Sequence, residues 1–293
     1  MNKLVMGFLA LLLLGNIDLT PADLGRHLKN GEIFVNSGKI VTTNFYSYTN
    51  SEFPVVNHHW GAGVIFFLLY KLGGFEILSF AYVLGLTTAA GLFWHVANKE
   101  SGWVVTLAAF IFLLPLISHR AEVRPEVFSY LFSGIFVYLL YHRRRLFLLP
   151  ILEILWVNTH IYFFLGPILV AIFLFRKPEF WRYFLLTSVV TIISPFGLAG
   201  ALYPLTIWQD FAYRLVENQS VFFLEGINFV LPNFLVFKLA ILTLAAGLMA
   251  PFEPLILLAV VGGELGLLAI RNFTPMGLFL LPGLAYLAKK INL

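Results

Sequence analysis

Between two apolar segments, the chain reads DLTPADLGRHLKNGEIFVNSGKIVTTNFYSYTNSEFPVVNHHW from Asp18 to Trp60. This stretch concentrates polar, aromatic and titratable side chains in a sequence that is otherwise compatible with hydrocarbon. Its titratable residues include Asp18, Asp23, Arg26, His27, Lys29, Glu32, Lys39, Glu52, His58 and His59. Loops longer than about 12–15 residues are usually functional or disordered, and this one is too aromatic for a disordered segment. We therefore expect a functional loop here, the alternative being a long solvated loop without chemistry.

Composition assigns the rest of the chain to a membrane. Of the 293 residues, 60% are hydrophobic and 12% are charged, whereas soluble domains have about 45–50% apolar and about 25% charged residues. The fold class expected is an all-α polytopic membrane protein that forms a single domain over residues 1–293. A net charge of +4 gives no indication of nucleic-acid binding, and a sequence without cysteine excludes disulfides and thiol chemistry.

Ten apolar segments are expected to be transmembrane helices. They are 4–17, 77–96, 103–118, 126–141, 146–158, 161–175, 183–193, 234–249, 254–269 and 274–288. The first is interpreted as a retained span rather than a cleaved signal peptide, because no small-residue cleavage pattern follows it. Segment 59–72 is also apolar but short for the ~30 Å of a hydrocarbon core, so it is either a short span or an interfacial helix.

The basic residues favour an interfacial segment 59–72. In that topology one side of the membrane receives Lys3, Lys99, Arg143, Arg144, Arg145, Arg176, Lys177, Arg182, Lys289 and Lys290. The positive-inside rule makes that side cytoplasmic. A first outer loop (18–74), the segment 119–126 and a second outer loop (196–233) then share the opposite face.

Local signals subdivide these loops. Thr20 as N-cap and Pro21 at the first helical position predict a helix that runs to about Asn36 and stops near Gly38. Residues 42–53 are expected to be extended or irregular. Polar residues at 158–160 interrupt a long apolar stretch, which predicts a turn between two spans, either facing a cavity or satisfied internally.

Asp23 is the first candidate for chemistry. Arg26 and His27 lie three and four residues further on, so they share its helical face. The carboxylate could act as a general base if partial burial raises its pKa and a neighbouring cation orients it. The alternative is a negative charge that stabilises a helix N-terminus.

The segment 119–126 is the second candidate. Arg120 and Arg124 could bind a phosphate, because guanidinium groups form bidentate charge-assisted bonds, and Glu126 could supply a second carboxylate. The alternative is a salt-bridged turn. The adjacent His58 and His59 lack metal-motif spacing. Glu217 to Ser220 and Arg271-Asn272 are expected on the same face, with a structural role preferred.

The order of these features resembles the C-type (GT-C) superfamily of polyprenyl-phosphate-sugar-dependent membrane glycosyltransferases. The resemblance is carried by residues 23–27 (DLGRH), 45–49 (FYSYT), 57–60 (NHHW), 124–129 (RPEVFS), 156–160 (WVNTH) and 194–197 (SPFG). One departure is Leu24, which stands where the family has a second acid and puts metal binding in doubt.

The resemblance implies an inverting hexosyl- or pentosyltransferase of the cell envelope. It would move a sugar from a polyprenyl-phosphate donor to a glycan, lipid or protein acceptor on the outer face of the inner membrane. The implied residues are Asp23 and Glu126 as catalytic; Arg120, Arg124 and Arg271 on the donor phosphate; and His27, His58, His59, Trp60, Asn158 and His160 along the substrate and lipid groove. No cofactor is certain, and a divalent cation on Asp23 and Glu126 is left open. The rival interpretation is a non-catalytic binder or transporter of lipid-linked sugars.

Overall fold

The computed structural model describes residues 2–21, 23–207, 215–247 and 253–291. This part of the chain is built from twelve α-helices joined by turns and short 3-10 segments. It contains no β-strand, only isolated bridges between Asp18 and Glu122 and between Thr43 and Pro54. The expectation of an all-α protein is therefore confirmed.

The chain divides into two compact units, Met1–Thr88 with Glu122–Trp208 and Ala89–Ala121 with Gln209–Leu293. The helices of the first unit are α1 (Asn2–Asn16), α2 (Leu24–Ser37), α4 (Glu126–His142), α5 (Leu149–Val157), α6 (Leu165–Leu174), α7 (Phe180–Val189) and α8 (Gly197–Thr206). Those of the second are α9 (Val221–Gly226), α10 (Asn233–Gly247), α11 (Pro254–Leu268) and α12 (Phe273–Lys290). Helix α3 (Trp60–Ile117) contributes to both units. The single domain over residues 1–293 stays a prediction.

Two glycines interrupt the helical geometry of α3. Gly74 has a φ of 65° and Gly102 a φ of 75°. Both values lie outside the right-handed helical region, and glycine adopts them without a steric penalty because it has no Cβ. These positions fall between the predicted segments 59–72, 77–96 and 103–118. The apolar runs thus located the breaks, although α3 continues on both sides of each.

Helix α3 indicates that the protein associates with a membrane. Within the described ranges it is the one helix long and apolar enough to cross a bilayer, and only 28% of its most apolar 18-residue stretch is buried. A core helix of a soluble protein would be mostly buried instead. A second candidate joins Phe180–Ile192 to Gly197–Thr206 across a bend of 103°, as in a broken span or a re-entrant loop.

Ten complete crossings are not confirmed. Each predicted segment overlaps a helix, but most of these helices are short. Helix α5, for example, has nine residues, which at 1.5 Å per residue span about 14 Å of a ~30 Å hydrocarbon core. Residues 248–249 of the predicted span 234–249 lie outside the described residues.

Helix α2 begins later than predicted. The backbone N–H and the hydroxyl of Thr20 both donate to Oδ1 of Asp18 at 2.7 Å, so Thr20 closes a turn instead of capping the helix. Asp23 is the N-cap residue, and its side chain makes no capping hydrogen bond. The predicted stop is confirmed, because Gly38 ends α2 with a φ of 70°.

The predicted extended segment folds back on itself. The N–H of Asn44 donates to the carbonyl of Phe53 at 2.8 Å, and the N–H of Val55 donates to the carbonyl of Thr42 at 2.9 Å. Residues 42–55, named the 42–55 loop below, thus form a short irregular hairpin. In the second outer loop, α8 and α9 were not predicted, and residues 208–214 lie outside the described residues.

Glycines bring α2 against the beginning of α3. A Cβ added to Gly31 would collide with the carbonyl of Gly63, and one added to Gly63 would lie 2.8 Å from the carbonyl of His27. The two backbones therefore touch, which fixes His27 of α2 beside His59. This contact builds the site described next.

Candidate active site around Asp23

Asp23 faces three basic side chains. Its Oδ1 lies 3.7 Å from Nε of Arg124, and its Oδ2 lies 3.5 Å from Nε2 of His27 and 3.9 Å from Nη2 of Arg26. His27 is buried, whereas the Asp23 side chain is 29% exposed. The predicted placement of Arg26 and His27 beside Asp23 is confirmed, and Arg124 of the loop before α4 joins them. The carboxylate is half-buried, cation-lined and still open to solvent.

The pKa of Asp23 is lowered, in contrast to the rise that a general base would need. Burial acts to raise this pKa, but the hydrogen bond from His27 and the positive charge of Arg124 outweigh it. The negative charge of Glu126 acts to raise the pKa of Asp23. Asp23 is therefore ionised throughout the neutral range.

Backbone contacts bring Arg124 to Asp23. The N–H of Val123 donates to the carbonyl of Asp18 at 3.2 Å, which holds the loop before α4 against the loop before α2. Glu122, which lies in the predicted 119–126 segment, pairs with Nε of Arg124 at 2.7 Å. Glu126 is buried at the first position of α4. Two carboxylates, Asp23 and Glu122, thus orient one guanidinium.

Four histidine rings lie beside Asp23. His27 contacts His59 with ring centroids 5.2 Å apart, and His59 also contacts His58 at 3.9 Å and His160 at 5.2 Å. Burial, followed by repulsion from His58, His160 and His27, lowers the pKa of His59 well below its ordinary value of 6.5. The His59 ring is therefore neutral at neutral pH.

His160 is fixed by a buried network that the sequence did not reveal. Trp156 Nε1 donates to Ser129 Oγ at 2.7 Å, and Ser129 Oγ lies 2.7 Å from Nδ1 of His160. Because the backbone N–H of Tyr162 also approaches Nδ1, at 3.4 Å, a neutral ring with its proton on Nε2 satisfies both contacts. The available signal was Ser129, a polar residue inside the apolar segment 126–141.

Asn158 has a structural role at the predicted turn. Its Oδ1 accepts from Nε1 of Trp60 at 2.9 Å, and its Nδ2 donates to the carbonyls of Ile154 and Ile193 at 2.8 Å. The N–H of Gly61 donates to the Asn158 carbonyl at 2.9 Å. The turn at residues 158–160 is confirmed. Through Asn158, hydrogen bonds hold the end of α5 against the beginning of α3. A groove role for Trp60 and Asn158 stays a prediction.

A polar cavity of about 200 Å³ opens next to this cluster, between α2 and the 42–55 loop. Arg26 and Asn30 of α2, Tyr46 and Asn57, and His58 with Tyr203 are among the residues that line it. Of the predicted groove residues, His58 and His59 line this cavity.

Arg120 and Arg271 belong to a different cluster, in the second unit. Arg120 is buried and its Nη1 binds Oε2 of Glu217 at 3.0 Å. Nη1 of Arg271 lies 2.9 Å from Oδ1 of Asn218 and 3.9 Å from Oε1 of Glu217. Residues 217–218 and Arg271 are therefore in contact, while their predicted position on the outer membrane face stays a prediction. The structural alternative describes this network better than a phosphate site does.

The residues around Asp23 fit a resident metal ion poorly. In the described part of the chain, no group of three or more His, Asp or Glu side chains could hold a metal ion. Both oxygens of Asp23 already face basic groups, and a further cation would be repelled by them. No role in the reaction is therefore assigned to the divalent cation considered for Asp23 and Glu126.

Comparisons of the chain with known protein families, with curated proteins and with solved structures find no match. The resemblance to GT-C glycosyltransferases accordingly stays a prediction that rests on its motifs.

Proposed function

We propose that the protein is a membrane glycosyltransferase that moves a sugar from a polyprenyl-phosphate donor to an acceptor hydroxyl. The observation that carries the proposal is the contact of Asp23 with Arg124 beside an open polar cavity. Glycosyl transfer from a lipid phosphate needs an acceptor for the hydroxyl proton and a fixed cation for the leaving phosphate. These two groups are adjacent here.

The reaction balances on these residues. The acceptor oxygen attacks the anomeric carbon and forms the new C–O bond, while its proton passes to the carboxylate of Asp23. The bond between the anomeric carbon and the phosphate oxygen breaks, and polyprenyl phosphate leaves with the electron pair. Arg124 stabilises the negative charge that develops on this phosphate. Attack from the opposite face inverts the anomeric configuration.

Supporting residues maintain this arrangement. His27 orients Asp23 from the adjacent turn of α2, and Glu122 holds the guanidinium of Arg124. Glu126 opposes the lowering of the Asp23 pKa, which keeps the carboxylate a better proton acceptor. Arg120 and Arg271 are omitted from the donor site because Glu217 and Asn218 engage them.

An apolar cavity supports a lipid donor. It has a volume of about 140 Å³ and is lined by residues that include Phe66, Tyr82, Val127 and Phe128. Because Val127 directly follows Glu126, the cavity begins close to the proposed site, as a polyprenyl chain attached to the phosphate would require. We assign the tail to this cavity rather than to the neighbourhood of Asn158 and His160. The protein would be a multi-pass protein of the inner membrane, with the site on its outer face.

The lowered pKa of Asp23 favours a second candidate, a binder or transporter of lipid-linked sugars. A carboxylate that is already ion-paired is a weak base but a suitable hydrogen-bond acceptor for sugar hydroxyls. In that case the protein would bind the lipid-linked sugar without transferring the sugar to an acceptor.

The test uses the purified protein in lipid nanodiscs. Co-purified lipid is identified by mass spectrometry, and polyprenyl-phosphate pentoses and hexoses with a radiolabelled sugar are then incubated with glycan, lipid and protein fractions of the cell envelope. We expect label to enter one fraction while polyprenyl phosphate is released in equal amount. Donor that binds and is never consumed with any fraction would favour the binder. Transfer from nucleotide sugars alone would overturn the proposal.

A further inference from the structure

The polar cavity beside Asp23 has a lining that indicates its ligand. Arg26 is its one charged lining residue among those described, and no carboxylate lines it. The Arg26 side chain is 51% exposed, and its ion pair with Asp23 is long at 3.9 Å. Its positive charge is therefore available to an anion that enters the cavity.

Uncharged hydrogen-bonding residues, together with Val41, Val55 and Val56, line the cavity beside this cation. Asn44 and Asn57 line the cavity, and neither is among the described residues with a further side-chain contact. Amide groups both donate and accept, so they suit hydroxyl groups of a ligand. Tyr203 and His58, whose rings lie 5.2 Å apart, provide an aromatic wall.

The cavity is small and closed on one side. Tyr46 of the 42–55 loop donates its hydroxyl to Oδ1 of Asn30 at 2.6 Å, which ties the loop to α2. A volume of about 200 Å³ is below the ~300–1,000 Å³ of pockets for drug-sized ligands. A single sugar ring or a phosphorylated headgroup fits this description better than an extended chain.

Two contacts connect the cavity with the reacting carboxylate. Arg26 lines the cavity and lies beside Asp23. His59 lines it too and packs against His27, the partner of Asp23. A hydroxyl bound in the cavity is therefore close to the group proposed to accept its proton.

We propose that this cavity is the acceptor subsite and that it takes a small hydroxylated group carrying an anionic charge, which Arg26 pairs. The inference rests on the proposed function, because it names the substrate that would share the site with the lipid donor. Its chemistry is that of a phosphorylated polyol, either free in solution or as the headgroup of an anionic lipid.

The test measures binding and needs no transfer. The full-length protein in phosphatidylcholine nanodiscs is titrated with sn-glycerol 3-phosphate and, separately, with glycerol. We expect saturable binding of the phosphate, with glycerol at least tenfold weaker. Arg26→Gln and Asn57→Ala should each weaken phosphate binding at least tenfold. Lys29→Gln is the matched control, because Lys29 lies on the same helix, pairs with Glu32 at 2.7 Å and does not line the cavity.

Nanodiscs that contain phosphatidylglycerol distinguish the two sources. If a lipid headgroup occupies the cavity, phosphatidylglycerol competes, so the apparent Kd for glycerol phosphate rises in the wild type and not in Arg26→Gln. If the Kd of the wild type is unchanged, the acceptor is a soluble molecule. Equal binding by the wild type and Arg26→Gln, or no binding to the wild type, would overturn the inference. Neither result depends on transfer, so the proposed function and the subsite can fail separately. Thermal unfolding of each variant identifies any that fails to fold.

Discussion

The Nε atom of Arg124 lies 3.7 Å from Oδ1 of Asp23. The contact joins the residue before α2 to the residue before Pro125, the N-cap of α4, and a backbone hydrogen bond from Val123 to Asp18 stabilises it. Because Glu122 binds the same Nε at 2.7 Å, the guanidinium is oriented before any substrate arrives. The proposed chemistry depends on this preorganised pair.

Replacing Arg124 should impair catalysis more than folding. Arg124→Gln removes the cation assigned to the leaving phosphate, and we expect kcat/KM for the lipid donor to fall on the order of 100-fold. Arg124→Lys should not restore it, because an ammonium group lacks the planar fork that Glu122 and Asp23 orient. Steady-state transfer rates measure both. Arg144→Gln, an exposed change beyond the other end of α4, is the control; an equal loss there would refute the assignment.

The contact between α2 and α3 makes opposite predictions for two glycines of one helix. Gly31→Ala adds a Cβ that collides with the Gly63 carbonyl, and such overpacking costs about 1–3 kcal/mol. Gly25 has nothing within 4 Å of an added Cβ, so Gly25→Ala should stabilise the helix by about 0.5–1 kcal/mol. Tryptophan fluorescence during thermal unfolding in nanodiscs compares them. Equal shifts in Tm would contradict the packing described here.

The Ser129 hydroxyl should set the tautomer of His160. In the wild type we expect the ¹⁵N resonances of His160, assigned with His160→Gln, to show a neutral ring protonated at Nε2. Ser129→Ala removes the close partner of Nδ1 and should change these resonances. Ser133→Ala serves as the control, because that hydroxyl bonds only to backbone carbonyls of its own helix. A wild-type ring protonated at Nδ1 would show that the Ser129 hydroxyl does not donate to His160 Nδ1.

His119 should make stability pH-dependent. Burial and the charge of Arg120 lower its pKa to about 4, and Nδ2 of Asn233 lies 2.9 Å from its Nδ1, as expected of a neutral acceptor. The unfolded chain binds this proton near pH 6.5 and the folded chain only near pH 4. Stability should therefore fall as the pH drops through this interval, by at most about 3 kcal/mol.

The measurement for His119 is the Tm of the wild type and of His119→Gln between pH 7.5 and 4.5. Carboxylates contribute to acid destabilisation in both proteins, so the difference between the two curves isolates the histidine. The variant should lose less Tm over the interval. Parallel curves would show that His119 is not held neutral by the fold.

Apolar runs and glycines predicted much of this architecture. Helix ends near Gly38, the breaks at Gly74 and Gly102, and the turn at Asn158 follow from local sequence because the backbone decides them. The sequence placed the loops of Asp23 and Arg124 on one membrane face, but it did not predict their contact. The number of complete crossings is not decided by such runs, since several helices are shorter than the segments that predicted them.

Pairings between distant side chains could not be predicted. Glu217 engages Arg120 and Ser129 orients His160, and in both cases the partner is far along the chain. The pKa of Asp23 was also beyond sequence reasoning, because its direction depends on how burial, His27 and Arg124 balance in space. Even the start of α2 was decided by one hydrogen-bonded turn at Asp18.

The most direct test of the central claim is Asp23→Asn, assayed for donor binding and for transfer in the same nanodisc preparation. We predict that the Kd for the lipid donor is unchanged while the transfer rate falls about 100- to 10,000-fold, the usual contribution of a positioned proton acceptor. Glu32→Gln, a neutralised carboxylate on the same helix that pairs with Lys29, should retain both properties. Transfer at the wild-type rate by Asp23→Asn would contradict the account.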